Sequence, residues 1–186
     1  MALLNTPLCD FGVPAKEFNL NTPAGESHSL HSSLGKNGLL IAFICNHCPY
    51  VVAIAERLAE DAQKLQNEGV GVVAIMSNDY LQKPADNPEN MTKFAEQYGF
   101  TFPYLVDEDQ SIGQAYGAVC TPDFFGFNNK LELQYRGRID DCRPNATDAE
   151  VANRSTDLLD AMCLIAKTGN GPRDQIASAG CSIKWR

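Results

Sequence analysis

The chain has 186 residues, 44% of them apolar and 20% charged, and a net charge of −8. That length and balance suit one globular domain over residues 1–186, able to bury roughly 70% of its unfolded surface. The charge argues against nucleic acid and against an anionic membrane surface as partners. No apolar stretch is long enough to span a bilayer. The start, Met-Ala-Leu-Leu-Asn-Thr-Pro, lacks the basic region and apolar run of a signal peptide. Seven cysteines are odd in number and too sparse for a disulfide scaffold. The expected setting is cytoplasmic, with thiols mostly reduced.

Residues 1–17 carry Pro7 and Pro14 and no clear period. Phe18 and Leu20, the turn signal Pro23-Ala24-Gly25 and then Ser29-Leu30 predict a short N-terminal hairpin. His28 and His31 read as surface residues in this polar stretch. A turn at Gly35–Gly38 leads into Leu39–Ile44, an apolar run that fits a buried parallel strand. The run ends on Cys45, and Cys48 follows three residues later. Pro49 suits the first turn of a helix, where its missing N–H is harmless. Val51, Ile54, Ala55, Leu58, Ala62 and Leu65 then recur at helical spacing, with Glu56, Glu60 and Lys64 opposite. The pattern predicts one helix from Pro49 to a C-cap near Gly69. Val70–Met76 is a second buried strand. The βαβ unit so formed has a right-handed crossover. It brings Cys45 and the Ser77-Asn78-Asp79 loop to the carboxyl end of the sheet, where open α/β sheets hold their sites.

The loop Asp79–Asn87 forms a rim, and Asn87-Pro88-Glu89 opens a helix with Met91, Phe94, Ala95 and Tyr98 on its buried face. Pro103–Val106 is a short strand, and a helix runs from about Glu108 to Tyr116. Two further strands flank a turn at Asn128-Asn129-Lys130. Pairing Phe127 with Leu131 sets Cys120 opposite Arg138, and brings Pro122 to the same end as Arg138-Ile139-Asp140-Asp141. That last stretch reads as an exposed, salt-bridged turn. Thr147-Asp148-Ala149-Glu150 is a capping box. It opens a final helix with Val151, Leu158, Leu159, Met162 and Ile165 inward, ending at Gly169. Residues 168–186 are then a non-helical tail. The segment from Gly169 to Cys181 can stretch about 40 Å, against a domain radius of gyration of roughly 16 Å. It is long enough to reach Cys45.

Two cysteines therefore stand where a strand hands over to a helix. Unpaired amides and the helix dipole favour negative charge there. A free thiol has a pKa of about 8.5, and a Cys-x-x-Cys at a helix start falls to roughly 3.5–7.5. A drop to 7 takes only about 2 kcal/mol of preference for the anion. The leading reading of Cys45 and Cys48 is a redox pair. The bland reading is two packed small residues. Metal binding by Cys45, His47, Cys48 and Cys181 is the lesser alternative, because a second close pair of ligands is missing; no metal is expected. Cys181 is a third candidate redox thiol, otherwise a packed cysteine beside Trp185. Cys9, Cys120, Cys142 and Cys163 read as inert. No glycine-rich dinucleotide motif appears, so no organic cofactor is expected.

The stretches Cys-Asn-His-Cys-Pro-Tyr-Val, Val-Cys-Thr-Pro-Asp-Phe-Phe, Tyr-Arg-Gly-Arg-Ile-Asp-Asp and Gly-Cys-Ser-Ile-Lys-Trp occur in this order. Together they resemble the thioredoxin-fold redoxins of the AhpC/TSA superfamily, and within it the peroxiredoxin-like 1 subgroup. The resemblance implies an α/β, thioredoxin-like fold: a mixed central sheet flanked by helices, with an N-terminal hairpin and a C-terminal extension. It implies that Cys45 attacks and Cys48 resolves, and that Pro122 is a cis-proline facing them. His47 resembles a histidine that favours the thiolate. Thr121, Pro122, His47 and Arg138 are the expected substrate groove, Arg138 by the hairpin pairing above. Two departures stand out. Ile44 occupies the place of a thioredoxin Trp, and Asn46-His47 replaces Gly-Pro. The peroxiredoxin motif Pro-x-x-x-Thr/Ser-x-x-Cys fits neither frame: Ile41 and Cys45 precede Cys48, and Gly38 and Ala42 precede Cys45. The expected function is thiol–disulfide exchange on a protein or small-molecule disulfide, with a separate electron donor. A thiol peroxidase acting on hydroperoxides is the alternative, and a non-catalytic or metal-binding module the third reading.

Overall fold

The computed structural model describes residues 3–186. Strand β1 (Leu3–Asn5) precedes the expected hairpin, β2 (Asn19–Asn21) and β3 (Ser27–Ser29), and a single turn, α1 (Leu30–Ser33). Strand β4 (Gly38–Phe43) leads through α2 (Pro49–Val52) and α3 (Ala55–Asn67) to β5 (Val70–Met76). Then come α4 (Pro88–Tyr98), β6 (Tyr104–Val106) and α5 (Ser111–Tyr116). The second half holds β7 (Cys120–Thr121), β8 (Asp123–Phe127), β9 (Leu133–Tyr135), α6 (Asp148–Ala152), α7 (Asp157–Thr168) and β10 (Ala179–Ser182).

A seven-stranded sheet runs β3-β2-β6-β5-β4-β8-β9. Strands β4, β5 and β6 are parallel, and the pairs on either side are antiparallel, so the sheet is mixed. β4 is buried along its whole length. Its alternating side chains enter two cores: Leu40 and Ala42 pack with Leu58, Leu65, Met91 and Met162, while Leu39, Ile41 and Phe43 pack with Phe18, Leu30, Tyr116 and Phe125. Cover on both faces is what an apolar run without alternation demands.

Several expectations need correction. The helix after Pro49 is two segments. Val51 and Val52 are β-branched and stiff in a helix, and Ile54 tightens the turn by bonding the Val51 carbonyl. The Ala53 carbonyl accepts from Arg57 Nη1 at 2.7 Å. The final helix is likewise broken, at residues 153–156. The break turns Arg154 inward to Asp61, 3.3 Å away. In the hairpin Phe127 pairs with Leu133, not Leu131, across a bulge at Gly126/Phe127. Cys120 consequently faces Ser182 of β10, not Arg138. Asp140 is buried rather than exposed, and accepts from Arg57 Nε at 2.7 Å. The tail contains a further strand. Strand β10 lies between β1 and β7 in a small second sheet, and β1 has no periodic signal in the sequence.

Asp123, the first residue of β8, is fully buried, and its partner is Arg136, Nη2 to Oδ2 2.9 Å. Arg136 also lies over the Phe125 ring at 4.4 Å and donates to the Gly117 carbonyl. Removing one member of a buried pair strands the other charge, at about 3–5 kcal/mol. Arg136→Ala is expected to lower stability by about that amount in urea melts; a loss under about 1 kcal/mol would mean that Asp123 needs no partner.

Candidate functional site

β4 ends one residue before Ile44, and the chain then turns through Cys45–Cys48 into α2. Cys48 is the N-cap of α2 and Pro49 its first residue. The intervening loop is held by Asp86, a wholly buried carboxylate on a short 3-10 turn, Pro84–Asp86. Its Oδ1 accepts from the backbone N–H of Asn46 at 2.8 Å and of His47 at 3.3 Å. Its Oδ2 accepts from Asn78 Nδ2 at 2.9 Å and lies 2.7 Å from His47 Nδ1. Sequence reasoning saw only a rim in this segment and missed Asp86. A buried acid two residues after a proline, in a loop beside the Cys-x-x-Cys, carries no periodic signal.

The hairpin and the tail close the other side. The Thr121–Pro122 peptide bond is cis, as the resemblance implies. Cys45 Sγ lies 3.2 Å from Thr121 Oγ1. The Cys48 thiol, when protonated, donates to the Thr121 carbonyl at 3.2 Å. Cys181 pairs with Thr121 across β10 and β7. Cys45, Cys48 and Cys181 are all buried free thiols. Thus the structure brings together Cys45, Cys48, His47, Thr121, Pro122 and Cys181. Arg138 is set apart from the sulfurs. It lines a cleft of about 350 Å³ with Pro122, Tyr50 and Ile139, but its guanidinium is engaged by Asp157, Nε to Oδ2 2.5 Å.

The electrostatics of the pair are unequal. The neighbouring Cys45 thiol, and after it the thiol and backbone of Cys181 and the backbone of Val51, favour the Cys48 anion. They hold Cys48 down to about 5 despite its burial. Cys45 moves well above the ordinary thiol range, first because Cys48 takes the shared proton's partner role, then through burial and the Asp86 carboxylate. The surroundings of the two sulfurs thus act in opposite directions, lowering Cys48 and raising Cys45. Burial pushes Cys181 and Cys120 up to about 12 and Cys9 to about 11, so these thiols stay protonated at neutral pH. Cys45, one His47 ring nitrogen and an Asp86 oxygen lie within 4.8 Å of one another, close enough to share a cation. His47 Nδ1 already faces Asp86.

The AhpC/TSA family pattern matches residues 11–167. The chain belongs to the AhpC/TSA family. Its fold is thioredoxin-like. It is similar to a solved hypothetical protein of Sinorhizobium meliloti 1021, at 39% identity over 98% of each chain with a TM-score of 0.90. Over 66% of its length it is 31% identical to the thiol-disulfide oxidoreductase ResA of Halalkalibacterium halodurans, spanning 65% of that protein. Over 62% it is 27% identical to peroxiredoxin Bcp of Escherichia coli K12, spanning 69% of it. The chain thus spans about two thirds of the length of these curated relatives. Family members are redox enzymes.

The depressed Cys48 has a measurable consequence for folding. The folded chain releases this proton at about 5, the unfolded chain near the ordinary value of 9.0. Between those values only the unfolded state holds the proton, so the contribution of Cys48 to stability rises with pH, by at most about 1.4 kcal/mol per unit. It is lost as the pH falls through 5. Denaturant melts of the reduced protein and of Cys48→Ser are expected to diverge steadily from pH 5 to pH 9. A constant difference across that interval would contradict the assignment.

Proposed function

We propose that this protein is a thiol–disulfide oxidoreductase that works through Cys45 and Cys48. The observation that carries the reading is the placement of both sulfurs at the start of α2, each 3.2 Å from the Thr121 that precedes cis-Pro122; the surroundings also lower the pKa of Cys48 to about 5. Cys48 thiolate attacks one sulfur of a substrate disulfide; the other substrate sulfur leaves as thiolate. Cys45 then loses its proton and attacks Cys48 Sγ. The second substrate thiolate departs, and a Cys45–Cys48 disulfide remains. A donor thiol or dithiol restores the reduced pair. Cys48 is the attacking residue in this scheme, and Cys45 the resolving one.

The substrate groove is the cleft beside cis-Pro122, walled by Tyr50, Ile139 and Arg138. His47 and Asp86 are positioning residues that fix the Cys45–Cys48 loop. Arg138, neutralised by Asp157, shapes the wall rather than supplying charge. Residues 1–186 act as one domain, in a reducing, cytoplasmic setting that suits seven free thiols. The charge of −8 disfavours nucleic acid and anionic membranes as partners.

Similarity to peroxiredoxin Bcp favours a second reading. The same thiolate would attack a hydroperoxide, release an alcohol or water and leave a sulfenic acid for Cys45 to condense with. The two readings separate in one assay. Reduced protein is given a protein disulfide or an alkyl hydroperoxide, and substrate loss is followed. Disulfide reduction is expected to dominate and to fall to background in Cys48→Ser. Because a stabilised thiolate favours the reduced form, the couple is expected to lie above about −270 mV. Dominant peroxide consumption would replace the first reading with the second, and a potential at or below about −270 mV would contradict the stabilised thiolate.

A further inference from the structure

We infer that Cys181 is a second resolving thiol, so that Cys48 is able to close a disulfide with either of two partners. The inference rests on the exchange chemistry proposed for Cys45 and Cys48. It concerns a nucleophile which that chemistry leaves unused.

Three placements support it. Cys181 is Cα-paired with Thr121, the residue whose carbonyl lies 3.2 Å from Cys48 Sγ and whose hydroxyl lies 3.2 Å from Cys45 Sγ. Cys181, Cys48 and Cys45 belong to one buried cluster, and Cys181 is among the groups that lower the Cys48 pKa. The tail that carries it is fastened on both sides of the site. Upstream, Ser178 Oγ donates to the Pro122 carbonyl at 2.9 Å. Gly180 packs on the Thr121 carbonyl so closely that a Cβ would collide with it. Downstream, Lys184 N–H donates to Asn78 Oδ1 and its carbonyl accepts from Asp79 N–H, each at 2.8 Å. A tail fixed at both ends holds its cysteine at the reacting sulfur instead of offering it by chance.

The step balances. In the mixed disulfide between Cys48 and substrate, the Cys181 thiol gives up its proton and attacks Cys48 Sγ. The Cys48–Cys181 bond forms, the bond to substrate breaks, and the substrate thiolate takes up a proton. Starting instead from the Cys45–Cys48 disulfide, the same attack passes the bond to Cys48–Cys181 and returns Cys45 as a thiol. No external oxidant or reductant enters that second step. Both disulfides share Cys48, so the chain holds its oxidation in two places around one sulfur.

The test oxidises reduced wild type and Cys45→Ser with glutathione disulfide, blocks free thiols, and maps linked peptides by mass spectrometry. In Cys45→Ser, Cys48 is expected mainly as the Cys48–Cys181 disulfide, with glutathione released. Glutathione retained on Cys48, with Cys181 still alkylatable, would overturn the inference while a Cys45–Cys48 bond in wild type left the parent reading intact. Failure of wild type to link Cys45 to Cys48 would strike the parent reading itself. If Cys45→Ser does not fold, wild type in graded glutathione buffers answers the question: Cys48–Cys181 peptides beside Cys45–Cys48 peptides support the inference, and their absence overturns it.

Discussion

The contacts of Thr121 are the constraint on which the site depends. Its hydroxyl meets Cys45, its carbonyl meets Cys48, and its backbone is paired with Cys181. Three remote parts of the chain, the β4–α2 junction, the hairpin and the tail, therefore converge on one residue. Burial of three thiols in an apolar core would by itself leave them inert. Convergence changes this, because Cys45 and Cys181 lower the pKa of Cys48 while Cys48 raises theirs.

The direction of each shift follows from what surrounds each sulfur. Asp86 secures the Cys45–Cys48 loop by accepting two backbone N–H groups and facing His47. Its negative charge works against an anion on Cys45. Cys48 meets the Thr121 carbonyl, and the nearby Cys45 and Cys181 groups lower its pKa. The carboxylate that builds the loop thus also adds to the rise at Cys45, after the Cys48 sulfur and burial.

Local patterns in the sequence reveal much of this. The Leu39–Ile44 run, the capping box at Thr147 and the Asn87-Pro88 helix start each depend on neighbours within a few residues, and each appears where expected. Cys45 and Cys48 at the strand–helix junction are visible for the same reason. What the sequence hides is set by distant partners. The break at Asn153 exists because Arg154 reaches Asp61, and the hairpin register shifts by a bulge at Gly126. Strand β1 is three residues long with no buried side chain, so no periodicity marks it. Asp86 matters because the loop after β5 meets the Cys45–Cys48 loop after β4, a fact of topology rather than of composition.

The site rests on one difference: its surroundings lower the pKa of Cys48 and raise those of Cys45 and Cys181. Site-resolved NMR titration of the reduced protein with carbon-labelled cysteine side chains measures it directly. The Cys48 Cβ signal is expected to move with a midpoint of about 5, while the Cys45 and Cys181 signals hold still until the solution is strongly alkaline. A Cys48 signal that moves only near the ordinary thiol value of 9.0, or a low midpoint at Cys45 instead, would contradict the account.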